Sequence, residues 1–220
     1  MKPKVVSIDD VVAMIPNGAS LMIGGFMGGG SPLRLIDELL RQGKRGLTVI
    51  ANDTARPGIG IGKLIAAGSV ERLITSHIGT NPQTQQLMLE GRLQVELVPQ
   101  GTLAERIRAG GVGLGGVLTP TGVGTLVAEG KQTIEVNGRP YLLEPALRAD
   151  FSLIRAKRAD YLGNLEYALT ARNFNPLMAM ASDKTIAEAE DIVPVGVIAP
   201  DVVVTPGVLV HCLVGQERTR

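Results

Sequence analysis

Cysteine, tryptophan and histidine are nearly missing from these 220 residues, which hold one Cys, no Trp and two His. A lone Cys212 cannot close an internal disulfide, and it suits a reducing compartment. One thiol and two distant imidazoles, His77 and His211, make no metal-ligand cluster. Neither histidine has the marks of a nucleophile–base pair. His77 follows Ser76 and His211 precedes Cys212, and chain neighbours in extended backbone point to opposite faces. Both read as structural. Aromatic residues make up 3 %, which argues against base-stacking nucleic-acid modules. An excess of either charge is also lacking: 22 basic against 21 acidic residues leave a net charge of +1, so no broad field recruits nucleic acid or anionic membrane. No apolar run approaches the ~18–20 residues that cross a bilayer, and Met1-Lys2-Pro3-Lys4 leads into none. The expectation is a cytoplasmic protein folded as one unit over residues 1–220.

What the chain has in excess is glycine, 28 residues, gathered in clusters. The densest follows a short apolar run: Leu21-Met22-Ile23, then Gly24-Gly25-Phe26-Met27-Gly28-Gly29-Gly30-Ser31-Pro32. Apolar run, glycines, Ser and Pro predict a buried strand, a loop, and a helix capped by Ser31 with Pro32 in its first turn. A helix start offers free N–H groups to an anion, and glycines let a phosphate approach the backbone closely. The string is neither a P-loop, since no Gly-Lys-Ser/Thr follows, nor G-x-G-x-x-G, since position 33 is Leu. A tight turn without ligand explains the glycines as well.

Apolar spacing continues the alternation. Ser7 to Ile15 predicts a first helix, Leu33 to Leu40 a helix ended by Gly43, and Leu47 to Ala51 a strand. Leu64–Ala67, Pro82–Leu89 behind the cap Asn81, and a capping-box helix from Thr102 to about Arg108 are separated by strands at 73–75 and 95–98. Repeated strand–helix units predict an α/β fold with a mainly parallel sheet flanked by helices. Asn137-Gly138 between two apolar runs adds a small antiparallel hairpin, with Pro140 placing its second strand near an edge. Further strands are expected at 151–154, 202–205 and 208–214, and a helix from Asn175-Pro176 whose Leu177, Met178 and Met180 are core. Glu188 to Asp191 reads as a solvated acidic turn, and Gly110 to Gly116 as a mobile wall or a plain connection.

In parallel sheets ligands sit beyond the carboxyl ends of the strands, so the loops Gly24–Gly30, Asn52–Gly62 and Gln100-Gly101 are expected to converge. Asn52 is an ordinary turn residue or a site residue. Gln100, between Pro99 and Gly101, is a surface glutamine or faces the pocket. Of the glutamates, Glu144 lies near Arg148 in an ion pair or a catalytic role, while Glu71, Glu90 and Glu105 read as solvent-facing.

The longer strings are more specific. Asn17-Gly18 through Gly24-Gly25-Phe26 to Gly30 and Pro32, then Ile50-Ala51-Asn52-Asp53-Thr54, Ser76-His77-Ile78-Gly79-Thr80-Asn81-Pro82, Val98-Pro99-Gln100-Gly101-Thr102, 118–125 and Leu147-Arg148-Ala149-Asp150 occur in an order that resembles the alpha subunit of class I coenzyme A transferases. The resemblance covers nearly the whole chain and is nearest to the acetate/acetoacetate type. It implies transfer of CoA between an acyl-CoA and a short-chain carboxylate, a catalytic glutamate on a beta subunit, and an α2β2 assembly. It also implies that Gln100 helps orient the acyl group, and that Gly24, Gly25, Phe26, Met27, Gly28, Gly29, Gly30 and Asn52 contact CoA. No permanent cofactor is implied, only CoA and acyl-CoA as substrates. A 3-oxoadipate or succinate transferase, and a ligand-binding α/β module without transfer chemistry, stay open beside it.

Overall fold

A computed structural model describes residues 4–215. Helix α1 (Ile8–Ala13) begins where Ser7 accepts the Asp10 N–H. There follow β1 (Ser20–Ile23), α2 (Leu33–Arg41), β2 (Leu47–Asp53), α3 (Ile61–Ala66), β3 (Val70–His77), α4 (Pro82–Leu89), β4 (Gln94–Leu97) and α5 (Gln100–Gly111). The second half holds β5 (Gly116–Thr119), β6 (Thr133–Val136), β7 (Arg139–Pro145), β8 (Ala149–Asp160), β9 (Leu165–Glu166), α6 (Asn175–Met180), β10 (Ser182–Val193) and β11 (Cys212–Gly215).

The main sheet runs β11-β10-β8-β1-β2-β3-β4, all parallel, with β9 added antiparallel to β8. The expected mainly parallel α/β fold with a small antiparallel element is therefore what forms. Strand alternation splits the core by face. Leu21, Ile23, Val49 and Leu73 pack with Val11, Leu35, Leu39 and Leu64 from α1, α2 and α3. Met22, Ile50 and Ile74 pack on the other face with Leu103 and Ile107 of α5 and Met178 of α6. Winding proceeds from β1 toward β4, then resumes at β8 on the other side of β1. The order therefore reverses between β1 and β8, and the β1 loop opens at that switch point.

The small sheet is β5-β7-β6, built around the Asn137-Gly138 turn, where both residues take positive φ. Strand β7 is central in it, against the expected edge position. Pro140 is tolerated because β5 pairs only with residues 142–145, so Pro140 has one neighbouring strand, through Glu135.

Several boundaries differ from expectation. Helix α5 starts at Gln100, so Thr102 lies inside the first turn and caps nothing. Helix α2 starts after Pro32, and Ser31 makes no cap bond. The segment at 202–205 is not a strand, and of 208–214 only 212–214 is, within β11; the short 3₁₀ turns Pro200–Val202 and Gly207–Leu209 come before it. Pro200 and Pro206 each start a turn instead of joining a ladder. Glu188–Asp191 is not a turn: it lies within β10, whose ten paired positions with β8 bury Glu188 to 6 % exposure. Within Gly110–Gly116, Gly110, Gly111 and Gly116 are close-packed, while a Cβ on Gly113 or Gly115 would meet nothing within 4 Å. On the three close-packed glycines, in that order, a Cβ would fall 2.0 Å from the Leu147 carbonyl oxygen, 2.6 Å from Met180 Cβ and 2.6 Å from the Glu144 carbonyl oxygen. No helix among the described residues is long and apolar enough to cross a membrane.

Candidate active site

The carboxyl end of β2 supplies two neighbouring side chains that point opposite ways. Asn52 Oδ1 accepts from Gln100 Nε2 at 2.9 Å and from Ser76 Oγ at 2.9 Å, and the Ser76 hydroxyl also reaches the Asn52 carbonyl at 2.7 Å. Asp53 turns toward the glycine loop, accepting the Met27 N–H at 2.9 Å and the Ala55 N–H at 2.7 Å. Strands β1, β2, β3 and β4 lie side by side and parallel, which is why these loops meet. The expected convergence of the three loops is thus present in the structure.

Gln100 is the first residue of α5, and its side chain is exposed while Asn52 is 2 % exposed. Pro99 at the N-cap offers no side-chain acceptor, and the first backbone bond of the helix is Leu103 N–H to the Pro99 carbonyl. The amides of Gln100, Gly101 and Thr102 therefore have no acceptor among the described residues. They form a positive helix end beside an exposed carboxamide.

The glycine loop is built differently. Phe26 and Gly29 exchange backbone bonds at 2.9 and 2.8 Å around Met27 and Gly28, both at positive φ (53° and 89°), which makes a two-residue hairpin turn. Gly24 N–H goes to the Leu153 carbonyl, Gly25 N–H to Asn173 Oδ1 and Met27 N–H to Asp53; only the Gly28 and Gly30 amides lack an acceptor among the described residues. The glycines admit the chain's own asparagines. A Cβ on Gly24 would lie 1.7 Å from Asn175 Oδ1, and Asn175 Nδ2 donates to the Gly30 carbonyl at 3.0 Å. At the start of α2 the Arg34 and Leu35 N–H groups, each at 3.0 Å, are taken by Glu188 Oε2. Burial pushes the Glu188 carboxyl above the usual carboxylate range, against the pull of these amides and of Arg34 and Arg155. Phe26, 49 % exposed, flanks the turn.

Glu144 is fully buried on β7, bonded to Lys131 at 2.6 Å with Arg106 at 3.9 Å. Arg148, its expected partner, pairs with Asp183 instead. Among the described residues no group of three or more His, Cys, Asp or Glu is placed to hold a metal. Reading along the sequence missed Ser76, Asp53, Asn173 and Glu188. Only Asp53 carried a local signal, an Asp closing a strand with its side chain reaching two residues on, as Asx turns do.

The fold is that of an acyl-CoA transferase from Escherichia coli O157:H7 solved as a thioester complex with CoA. It superposes with a TM-score of 0.87 at 24 % identity, over 99 % of this chain and 48 % of that one. The chain belongs to the coenzyme A transferase family, which it matches over residues 5–216. It is 55 % identical over 218 residues to the acetate CoA-transferase subunit alpha of Escherichia coli K12, covering 99 % of each chain. It is also 48 % identical to the acetoacetyl-CoA:acetate/butyrate CoA transferase alpha subunit of Clostridium acetobutylicum, over 98 % of this chain and 99 % of that one.

Proposed function

We propose that this chain is the alpha subunit of a cytoplasmic CoA-transferase that moves CoA between an acyl-CoA and a short-chain acid, acetate first, in an α2β2 complex. The observation that carries this reading is the exposed Gln100 carboxamide, held by Asn52 at 2.9 Å on an uncapped helix start at the strand ends. Both oxygens of the one carboxylate in the cluster, Asp53, accept backbone N–H bonds, so the cluster offers amides and a hydroxyl rather than a nucleophile. That suits a half-site. A glutamate of the beta subunit attacks the thioester carbonyl, giving an acyl-glutamyl anhydride and CoA thiolate. The thiolate then attacks the glutamyl carbonyl, releasing the acid and leaving an enzyme thioester. The second acid reverses the sequence.

Gln100 N–H and the helix start meet the carbonyl oxygen as charge develops on it. The turn Phe26-Met27-Gly28-Gly29 presents its tip and its free Gly28 amide to CoA, with Gly24, Gly25 and Gly30 holding the turn, and Asn52 meets CoA from the Gln100 side. The chain acts as one alpha-subunit domain, with the small sheet inserted between α5 and β8. Two named relatives with acetate in their names support the acid class. Co-purification with the partner tests the reading. The complex should exchange labelled acetate with acetyl-CoA, the chain alone should not, and Gln100→Ala in the complex should lose about 100-fold in kcat, the size of a lost oxyanion donor. Full exchange by the chain without a second polypeptide would overturn it.

A further inference from the structure

Gln100 can present a fixed donor only if its partner is itself fixed. Asn52 is 2 % exposed; its Oδ1 accepts from Gln100 Nε2 at 2.9 Å and lies 2.9 Å from Ser76 Oγ, whose one hydrogen it shares with the Asn52 main-chain oxygen at 2.7 Å. A terminal amide torsion is soft and roughly two-fold, so one hydrogen bond from an exposed glutamine leaves Asn52 free to turn. Ser76 supplies the second restraint. Its hydroxyl touches both the side-chain and the main-chain oxygen of Asn52, bracketing the residue from β3. The neighbouring Thr75 already donates to the same main-chain oxygen at 3.1 Å, so holding β2 to β3 does not by itself require a hydroxyl at position 76.

We infer that Ser76 is a positioning residue for the transfer reaction, locking the Asn52 amide so that Gln100 spends one Nε2 hydrogen on Asn52 Oδ1 and holds the other in a constant direction for the acyl carbonyl. The assignment rests on the reading of Gln100 given above and extends it to a residue on another strand that touches no substrate. The chain of contact is Ser76 to Asn52 to Gln100, spanning the ends of β3, β2 and the start of α5.

Four variants of the partnered enzyme test it: Ser76→Ala, Ser76→Thr, Gln100→Ala and the double variant Ser76→Ala/Gln100→Ala. Ser76→Ala should lower kcat about tenfold while KM for acyl-CoA and acid stays within twofold, since groups that orient a reacting partner act on the chemical step. Ser76→Thr keeps the hydroxyl on a strand that favours β-branched residues, and should restore kcat to within threefold. In the Gln100→Ala background, Ser76→Ala should change kcat by less than twofold, because residues acting as a unit are not additive. A damaging Gln100→Ala with a neutral Ser76→Ala, or a full tenfold loss added by Ser76→Ala in the double variant, overturns the Ser76 assignment and leaves the site reading standing. An inert Gln100→Ala overturns both. If Ser76→Ala does not assemble, the same comparison runs with Ser76→Cys, whose thiol has similar size and is a weak donor.

Discussion

Helices α2 and α5 both begin at the carboxyl end of a parallel strand, β1 and β4, yet one start is closed and the other open. At α2 a buried Glu188 accepts the Arg34 and Leu35 amides, and the loop before it is pinned by Asn173, Asn175 and Asp53. At α5 nothing among the described residues accepts the first three amides, and the leading side chain reaches across to Asn52. Glycine content misleads here. The start with five glycines is a packed joint, and the start with one carries the accessible polar groups. At 24, 25 and 30 the glycines do mark a close approach, but the close neighbours are the chain's own Asn175, Ser31 and Ala171.

The sharpest way to break this contrast is to add one methyl group at each start. Gly30→Ala places a Cβ 2.4 Å from the Ala171 carbonyl oxygen at φ +73°, and should cost more than about 3 kcal/mol in denaturant unfolding or prevent folding. Glu188→Ala leaves two amides of α2 without their acceptor and should cost about 1–3 kcal/mol, while Glu188→Gln, which keeps a carbonyl oxygen, should cost less.

The pH dependence separates these two variants further. Because the folded Glu188 carboxyl titrates above its ordinary 4.5, between that pH and its folded value the folded chain holds more protons than the unfolded chain. This carboxyl's contribution to stability is therefore fully present below pH 4.5 and declines as pH rises through the folded value, by at most about 1.4 kcal/mol per pH unit for one proton. The difference between wild type and Glu188→Gln, taken from thermal melts at several pH values from 4 to 8, should carry that slope. A flat difference would count against a raised carboxyl. The smallest effect belongs to the open start. Gly101→Ala meets no atom within 4 Å and should leave stability unchanged or raise it by up to about 1 kcal/mol from helix propensity. A loss as large as that at Gly30 would erase the distinction.

Much of the fold was legible because local chemistry and final structure agree. Ser7 caps α1, Asn81 and Pro82 open α4, and Asn137-Gly138 turns the hairpin. That the loops bearing Asn52 and Gln100 meet was legible too, from strand-end placement; that the two side chains bond each other was not. Strand β10 was not. Its Ala-Glu-Ala-Glu-Asp core looks like surface until the amides of α2 and the cations Arg155 and Lys157 on the adjacent strand are placed against it. Ser31 looked like a cap because a serine stands before a proline; a carboxylate distant in sequence holds that place. Glu144 has the same character. Its neighbours in sequence suggested Arg148, while the pleat of β7 points it inward to Lys131 and Arg106.

The Glu188 contact also bears on how the chain comes together during synthesis. A ribosome delivers the α2 segment more than a hundred residues before it delivers β10, and until then the helix lacks the acceptor that closes its first turn. The nascent amino-terminal half therefore emerges with its opening strand–helix unit unfinished. Closing it requires β10 to dock beside β8, a long-range step that favours slow, late consolidation over folding from the amino terminus onward.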